Sequence, residues 1–398
     1  MDNKTIWTRD FIVTSIINFF LMLVMYLLMV TIAPYSVKEY GVSTGVAGLV
    51  SGIFIIGTLM SRLAIGGLIE KIGSRRLLLI GLAIIVLASV FYFGADNLPL
   101  LMANRFFHGI GLGISSTATG TMVAQMLPPS RRGEGIGYFS LSAVLATAIG
   151  PFFGIYLSQH YDYQVLFLFC LALSICCAAM FFFVKKSPMV MPAKNIQAKT
   201  EKLGIHGLLE RRALPIAFVT LLAAVAYSGV LSFISFYAEE INLVSAASFF
   251  FLVYAVAVLF SRPFTGRLLD VKGNKFVIYP SLVLFAGGLL LLSGAQAGWM
   301  LLLAGGILGL GFGNFQSCAQ AIALQGVKPE RLGVATSTFF IFLDFGFGFG
   351  PYVIGSLVPI IGYRKLYVVL MIVVLAALAL FMLFSKIQQS KSKRVTVE

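Results

Sequence analysis

Runs of about twenty apolar residues follow one another along almost the whole of this chain, and each is long enough to cross a bilayer as a helix. That pattern limits the fold more than any other feature of the sequence. Backbone polar groups inside a bilayer must be satisfied internally, so only helices or a closed barrel can span it. The runs are too long for barrel strands and show no strict alternation. Only 11% of the 398 residues are charged, against about 25% in a typical soluble protein. The chain therefore reads as an all-α polytopic membrane protein.

Twelve spans are expected, near 10–34, 45–69, 77–95, 99–124, 134–157, 164–184, 213–237, 246–268, 276–295, 299–324, 334–358 and 363–385. The first run is longer than a secretory core of roughly 7–15 residues, so it reads as a retained helix. A polar stretch separates spans six and seven. The expected division is an N-terminal six-helix bundle, 1–185, a linker, 186–212, and a C-terminal six-helix bundle with its tail, 213–398. The end of the linker, 204–214, has the pattern of a helix lying along the membrane surface.

The net charge of +14 does not point to nucleic acid, because the bases are confined to one side. With the N-terminus inside, 23 of the 29 Lys and Arg fall in cytoplasmic segments. The outer loops hold Lys38, Arg364 and Lys365, while Arg62, Arg105 and Arg262 lie within spans. This asymmetry places both termini in the cytoplasm of a cell with a plasma or inner membrane. Lipid is then the expected surface partner. The four cysteines fall in apolar runs and show no metal-ligand spacing, so neither a disulfide framework nor a metal site is expected.

The chain is also a tandem repeat with an offset of two hundred residues. Gly66, Leu68, Glu70, Gly73 and Arg75 recur as Gly266, Leu268, Asp270, Gly273 and Lys275. Gly109, Gly111 and Gly113 recur as Gly309, Gly311 and Gly313. Arg131 and Gly133 recur as Arg331 and Gly333, Gly150-Pro151 as Gly350-Pro351, and Tyr163 as Tyr363. Two parallel six-helix halves are a known transporter plan, with the substrate site near mid-membrane.

On these residues the chain resembles the major facilitator superfamily over essentially its whole length, and within it the twelve-span drug:proton antiporter branch. The glycine-bounded turn matches the loop signature of that family, with Glu70 where Asp is usual. Arg105, Gly109 and Gly111 match a span-four pattern, with His108 where Gln is frequent. Gly150, Pro151 and Gly154 match a span-five pattern associated with exporters, and Ala146 and Ile155 replace its flanking glycines. Of a two-proline pattern in span one, only Pro34 remains. The resemblance implies alternating access and a secondary active transporter rather than an enzyme. No cofactor is implied, and the partners are a small-molecule substrate and protons, with the protein working as a monomer.

The residues suggest roles beside that resemblance. Glu70 and Arg75, with Asp270 and Lys275, read as a conformational latch, for which the alternative is a plain topogenic loop. Such a latch biases one conformation only if its contacts differ between the two. Arg105 inside span four costs roughly 2.5–3.5 kcal/mol on insertion scales. It reads as a cavity residue that tunes a proton site or holds an anion, or as a side chain snorkelling to the headgroups. Asp344 in span eleven is the deep carboxylate and a candidate for proton coupling, the alternative being a structural hydrogen bond. His108 shares the face of Arg105 and reads as a relay or as packing. Asn18, Tyr26, Asn314 and Gln316, with Gln320 and Tyr227, would line an uncharged, aromatic-rich cavity. The usual carboxylate positions in spans one and seven are unfilled. The expected function is proton-coupled export of small toxic or drug-like compounds. The alternatives are a dedicated exporter of an endogenous metabolite such as a metallophore, a nutrient importer, or a membrane sensor that transports nothing.

Overall fold

The computed structural model describes residues 6–42, 44–184 and 209–395. Most of the linker, with residues 204–208 of the expected surface helix at 204–214, lies outside the described residues. Among those described the fold is all-helical, and a helix covers each of the twelve expected spans. In order these are α1 (Arg9–Tyr40), α2 (Thr44–Ile72), α3 (Ser74–Phe91), α4 (Leu98–Met126), α5 (Arg132–His160) and α6 (Tyr163–Phe181). After the linker come α7 (Leu214–Glu240), α8 (Val244–Lys272), α9 (Asn274–Ser293) and α10 (Gly298–Leu308). A π-helical turn, Gly309–Gly313, then leads into α11 (Asn314–Ala323), and α12 (Leu332–Val395) closes the chain. α12 is broken at Gly362, whose φ of 71° is outside the helical region, so it supplies two spans.

Local chemistry sets the ends. Thr8 caps α1 by accepting from the Phe11 N–H at 3.2 Å, and Asn97 caps α4 by accepting from the Leu100 N–H at 3.0 Å. These side-chain oxygens satisfy donors that the first helical turn leaves open. The repeated turns close at Gly73 and Gly273, with φ of 88° and 84°. A side chain is strained in that region, which is why both copies keep glycine at this place.

Among the described residues, nine helical stretches are both long and apolar enough to cross a membrane, the last being 58 residues long. α4 is not one of them. Its run Ser115-Ser116-Thr117-Ala118-Thr119-Gly120-Thr121 is buried without a break. α4 packs against α2 and α3 within the protein, so it does not need a lipid-compatible surface.

The described residues form two compact units. One comprises Met1–Glu210 with Gly326–Ile341, and the other Arg211–Gln325 with Phe342–Glu398. The contacts thus group the start of α12 with the first unit, although the repeat counts it with the second half.

Inside each unit the repeated glycines do the same work. A Cβ on Gly109 would fall 2.0 Å from the Phe54 carbonyl oxygen, and one on Gly113 would fall 2.0 Å from Ser61 Oγ. In the second unit a Cβ on Gly309 would fall 2.5 Å from the Tyr254 carbonyl oxygen. So α4 lies directly on α2, and the π turn directly on α8. Small residues let helix backbones meet this closely.

Candidate functional site

Arg105 lies on α4 with 1% of its surface exposed. Its guanidinium carbon sits 4.4 Å from the centroid of the Phe54 ring, a cation–π contact that partly replaces water. Nε donates to the Val50 carbonyl at 3.5 Å, and an Nη donates to the Tyr92 hydroxyl at 3.2 Å. That hydroxyl lies 3.0 Å from His108 Nδ1. Tyr92 accepts from a guanidinium that has no acceptor of its own, so its proton is free to point at His108. The arrangement suits an imidazole that accepts at Nδ1 and carries its proton on Nε2. Arg105 and His108 are therefore brought together, as their shared face suggests, through a tyrosine from the end of α3. The cluster is closed, with Tyr92 and His108 at 2% and 3% exposure.

A second polar group joins α1, α4 and α5. Asn18 Nδ2 donates to Ser142 Oγ at 2.8 Å, and Asn18 Oδ1 accepts from Thr119 Oγ1 at 3.4 Å. Ser142 also lines a groove of about 340 Å³ walled by Phe11, Ile12, Phe19 and Leu145 and bordered by Trp7 and Tyr138. The Trp7 and Tyr138 rings lie 4.7 Å apart. The groove has no charged lining. Its Ser15 and Ser142 hydroxyls already donate to the carbonyls of Phe11 and Phe139. It offers an apolar, aromatic surface whose serine hydroxyl protons are already given to backbone carbonyls.

Beyond this groove α1 and α5 are in close contact. A Cβ on Gly150 would lie 2.8 Å from Tyr26 Cβ, and one on Gly154 would lie 2.9 Å from the Leu27 carbonyl oxygen. Gly150, Pro151 and Gly154 thus let α5 pack onto α1 beside half-buried Tyr26. The second unit repeats the device, since Gly346 and Gly350 lay α12 against Leu221, Ala224 and Ser228 of α7.

In the second unit Asn314 is fully committed to α8 and its own helix. Its Nδ2 donates to Ser261 Oγ at 2.8 Å and to the Leu310 carbonyl at 3.0 Å, and its Oδ1 accepts from Thr265 at 3.0 Å. It acts as a packing staple in this conformation. Tyr227 stacks on Phe312 at 4.1 Å, with Tyr254 and Phe347 close by. Gln316 and Asp344 are half-buried on α11 and α12, and Gln320 is buried. The Gln320 amide nitrogen has no hydrogen-bond partner.

The repeated turn is less uniform than its sequence. The Glu70 side chain, with Gly66, lies outside the described side chains. Arg75 stacks at 4.9 Å over Phe181 of α6, so its charge stays within the first half. Gly266 is buried, whereas Asp270 and Lys275 are half-buried near the end of α8 and the start of α9.

The close approach at this end of the first unit involves residues that sequence reasoning did not single out as a site. The Ser337 hydroxyl of α12 donates to the Arg62 carbonyl. The Arg62 guanidinium donates to Thr117 at 3.3 Å and covers the Phe340 ring at 4.3 Å. One turn earlier on α12, a Cβ on Gly333 would fall 1.8 Å from Ile69 Cγ2. The signal available for Arg62 was its position, since an arginine inside a span is costly unless it has a task. Tyr92 carries no such signal. Among the described residues, no group of three or more His, Cys, Asp or Glu side chains forms a metal site.

With this geometry described, comparison with known proteins decides the family. The sequence profile of the Major Facilitator Superfamily matches residues 14–295 and 216–397. The chain belongs to the major facilitator superfamily. It is accordingly a multi-pass secondary transporter and not an enzyme. It is 26% identical over 378 residues to the multidrug resistance protein MdtG of Salmonella schwarzengrund, covering 91% of this chain and 92% of that one. It is 24% identical over 326 residues to an uncharacterized MFS-type transporter of Methanocaldococcus jannaschii, covering 80% and 84%. Among solved structures, the superfamily transporter FucP in the outward conformation matches with a TM-score of 0.74 at 17% identity, covering 94% of this chain and 98% of that one. The human organic anion transporter MFSD10 matches with 0.73 at 16%, covering 94% and 99%. At such identities the structural matches speak for the fold alone.

Proposed function

We propose that this major facilitator is a proton-coupled exporter of small amphiphilic compounds, of the multidrug efflux type, with both termini in the cytoplasm. The observation that carries the reading is the Gly150-Pro151-x-x-Gly154 face laid against α1, the helix pair that also walls the aromatic groove. Similarity to a multidrug resistance protein over nine-tenths of the chain supports it. The groove suits flat, apolar molecules because it has no charged lining.

Asp344 is the residue proposed to load and release the proton. Arg105, held by Tyr92 and Phe54, supplies a fixed positive charge in the outer part of α4. His108 serves as the neutral acceptor that orients Tyr92, which narrows its role from relay to positioning. The start of α12, packed on Arg62 and Ile69, is the part that separates from α2 when the transporter opens inward. Glu70 follows Ile69 directly on α2, so the first copy of the repeated turn adjoins that contact in sequence.

Mass spectrometry of cells and spent medium tests direction and substrate together. It compares a deletion strain, an overexpressor and Asp344→Asn, with and without a panel of cationic dyes. Retention of dyes in the deletion strain and the variant is the expected result. Depletion of a compound inside the deletion strain would reverse the assigned direction. A single endogenous compound retained, with the dyes unaffected, would replace multidrug efflux with dedicated export.

A further inference from the structure

The polar group that joins α1, α4 and α5 has no counterpart in the second half of the repeat. Two hundred residues on, Asn18, Thr119 and Ser142 become Phe218, Ala319 and Phe342, and Ser15 becomes Pro215. The Phe218 and Phe342 rings meet edge to face, with centroids 4.7 Å apart. An aromatic pair thus stands where the first half has the 2.8 Å bond from Asn18 to Ser142. The pair shows that this place in the repeat can be packed without any polar atom. In the second half a ring stands at the position whose serine lines the groove of the first.

The groove has an order of hydrogen-bonding groups along its length. A hydroxyl carries one proton and two acceptor lone pairs. The Ser15 and Ser142 protons go to the carbonyls of Phe11, at 2.9 Å, and Phe139, at 2.6 Å. Ser142 uses one lone pair to accept from Asn18. Among the described residues no group donates to Ser15. Both serines therefore present acceptors and no protons to whatever lies in the groove. The Trp7 indole N–H and the Tyr138 hydroxyl are donors, and their rings lie together where α1 begins. Ser15 stands about 9 Å into α1, and Ser142 lies one turn beyond Tyr138 on α5.

We propose that this groove selects flat aromatic molecules that carry a neutral N–H or O–H donor on the ring. The ring lies among Phe11, Phe19 and Tyr138, and the donor meets the oxygens of Ser15 and Ser142. A localised charge at that depth would lack a counter-charge, which is costly. A molecule with only acceptors would face two oxygens and leave both sides unpaired. The volume of about 340 Å³ is at the small end of ligand pockets, which run from roughly 300 to 1,000 Å³. This deepens, and rests on, the reading of the groove as a substrate site.

The test is binding to purified full-length protein without a proton gradient, so it does not depend on coupling. Trp7 is the reporter in a Trp299→Phe background, since these are the two tryptophans of the chain. Saturable quenching of Trp7 is measured with 2-naphthol and with 2-methoxynaphthalene, which has the same ring without the donor. The naphthol is expected to bind roughly 2–12-fold more tightly, as for one neutral hydrogen bond. Ser15→Ala with Ser142→Ala should remove that preference and leave binding of the methoxy compound unchanged. Ser142→Phe, which imports the residue of the second half, should abolish saturable quenching by both. Ser15→Leu is a second filling variant, at a half-buried place, should Ser142→Phe not fold. Equal affinity of the two compounds in the parent protein, or a preference that survives the double alanine variant, would overturn donor selection while leaving the groove a binding site. Saturable quenching that persists in a folded filling variant would overturn the groove as the substrate site as well.

Discussion

Gly333 offers a quantitative test of the contact between α12 and α2. An added Cβ would sit 1.8 Å from Ile69 Cγ2 and 3.1 Å from its Cβ, whereas ordinary contact begins near 3.4 Å. Ile69 has little freedom to yield. It is β-branched on a helix, where one rotamer dominates, and is only 5% exposed. Gly333→Ala must therefore push the start of α12 away by about 1.6 Å or force Ile69 off its rotamer, and overpacking of this kind costs about 1–3 kcal/mol. The cost falls only on the conformation in which the two helices touch, so the balance should move roughly 5–150-fold away from it. Spin labels at Leu68→Cys and Lys328→Cys, both exposed, report the separation by pulsed electron resonance. Cys176→Ser removes the exposed native thiol. The expected result is a shift of the distance distribution to longer values in Gly333→Ala. Adding Ile69→Ala, which removes the obstructing branch, should bring it back. An unchanged distribution in Gly333→Ala, or no restoration by Ile69→Ala, would refute the reasoning.

Other outcomes follow from the same geometry. Tyr92→Phe removes the hydroxyl that bridges Arg105 and His108. It should cost about 1–3 kcal/mol in unfolding stability in detergent, as for buried groups left unpaired, while Phe54→Leu should cost less. Asn314→Leu removes the side-chain bonds that tie α11 to Ser261 and Thr265 of α8, so it should lower the midpoint of thermal unfolding more than Gln316→Leu, measured side by side. Gly109→Ala confronts a backbone carbonyl at 2.0 Å and should impair folding outright. Gly150→Ala meets Tyr26 Cβ at 2.8 Å and should fold but transport more slowly, as flux and expression yield would show. Asp344→Asn should leave folding intact, as expression yield would show, and abolish gradient-driven transport.

The fold was largely legible in the sequence because lipid leaves few options for an apolar run, and because the repeat repeats its constraints. Gly109 and Gly309 stand two hundred residues apart and each faces a backbone carbonyl of the second helix of its half. α4 was placed as a span with the other apolar runs, although its Ser and Thr residues lower its hydropathy and it is not among the nine stretches that meet the length and hydropathy needed to cross. The site was less legible. The pairing of Arg105 with His108 could be read from helical spacing, whereas the Tyr92 hydroxyl between them comes from another helix and leaves no periodic trace. Polarity within a span marks Asn314 as a cavity candidate, and the bonds of its amide to Ser261, Thr265 and its own helix in this conformation leave no trace in the sequence. Arg75 is a latch candidate by its place in the repeated turn, and its stacking on Phe181 of α6 leaves no trace in the sequence. The contact of Arg62 with Phe340 could not be read from sequence, because it joins segments that the repeat assigns to different halves.

The most direct test of proton-driven export is transport into everted membrane vesicles from overexpressing cells. Ethidium serves as the first probe, followed by any compound that mass spectrometry finds retained in the deletion strain. Uptake should begin when the vesicle interior is acidified, stop when a protonophore collapses the gradient, and be absent in Asp344→Asn. Uptake that continues at the same rate after collapse would contradict the account.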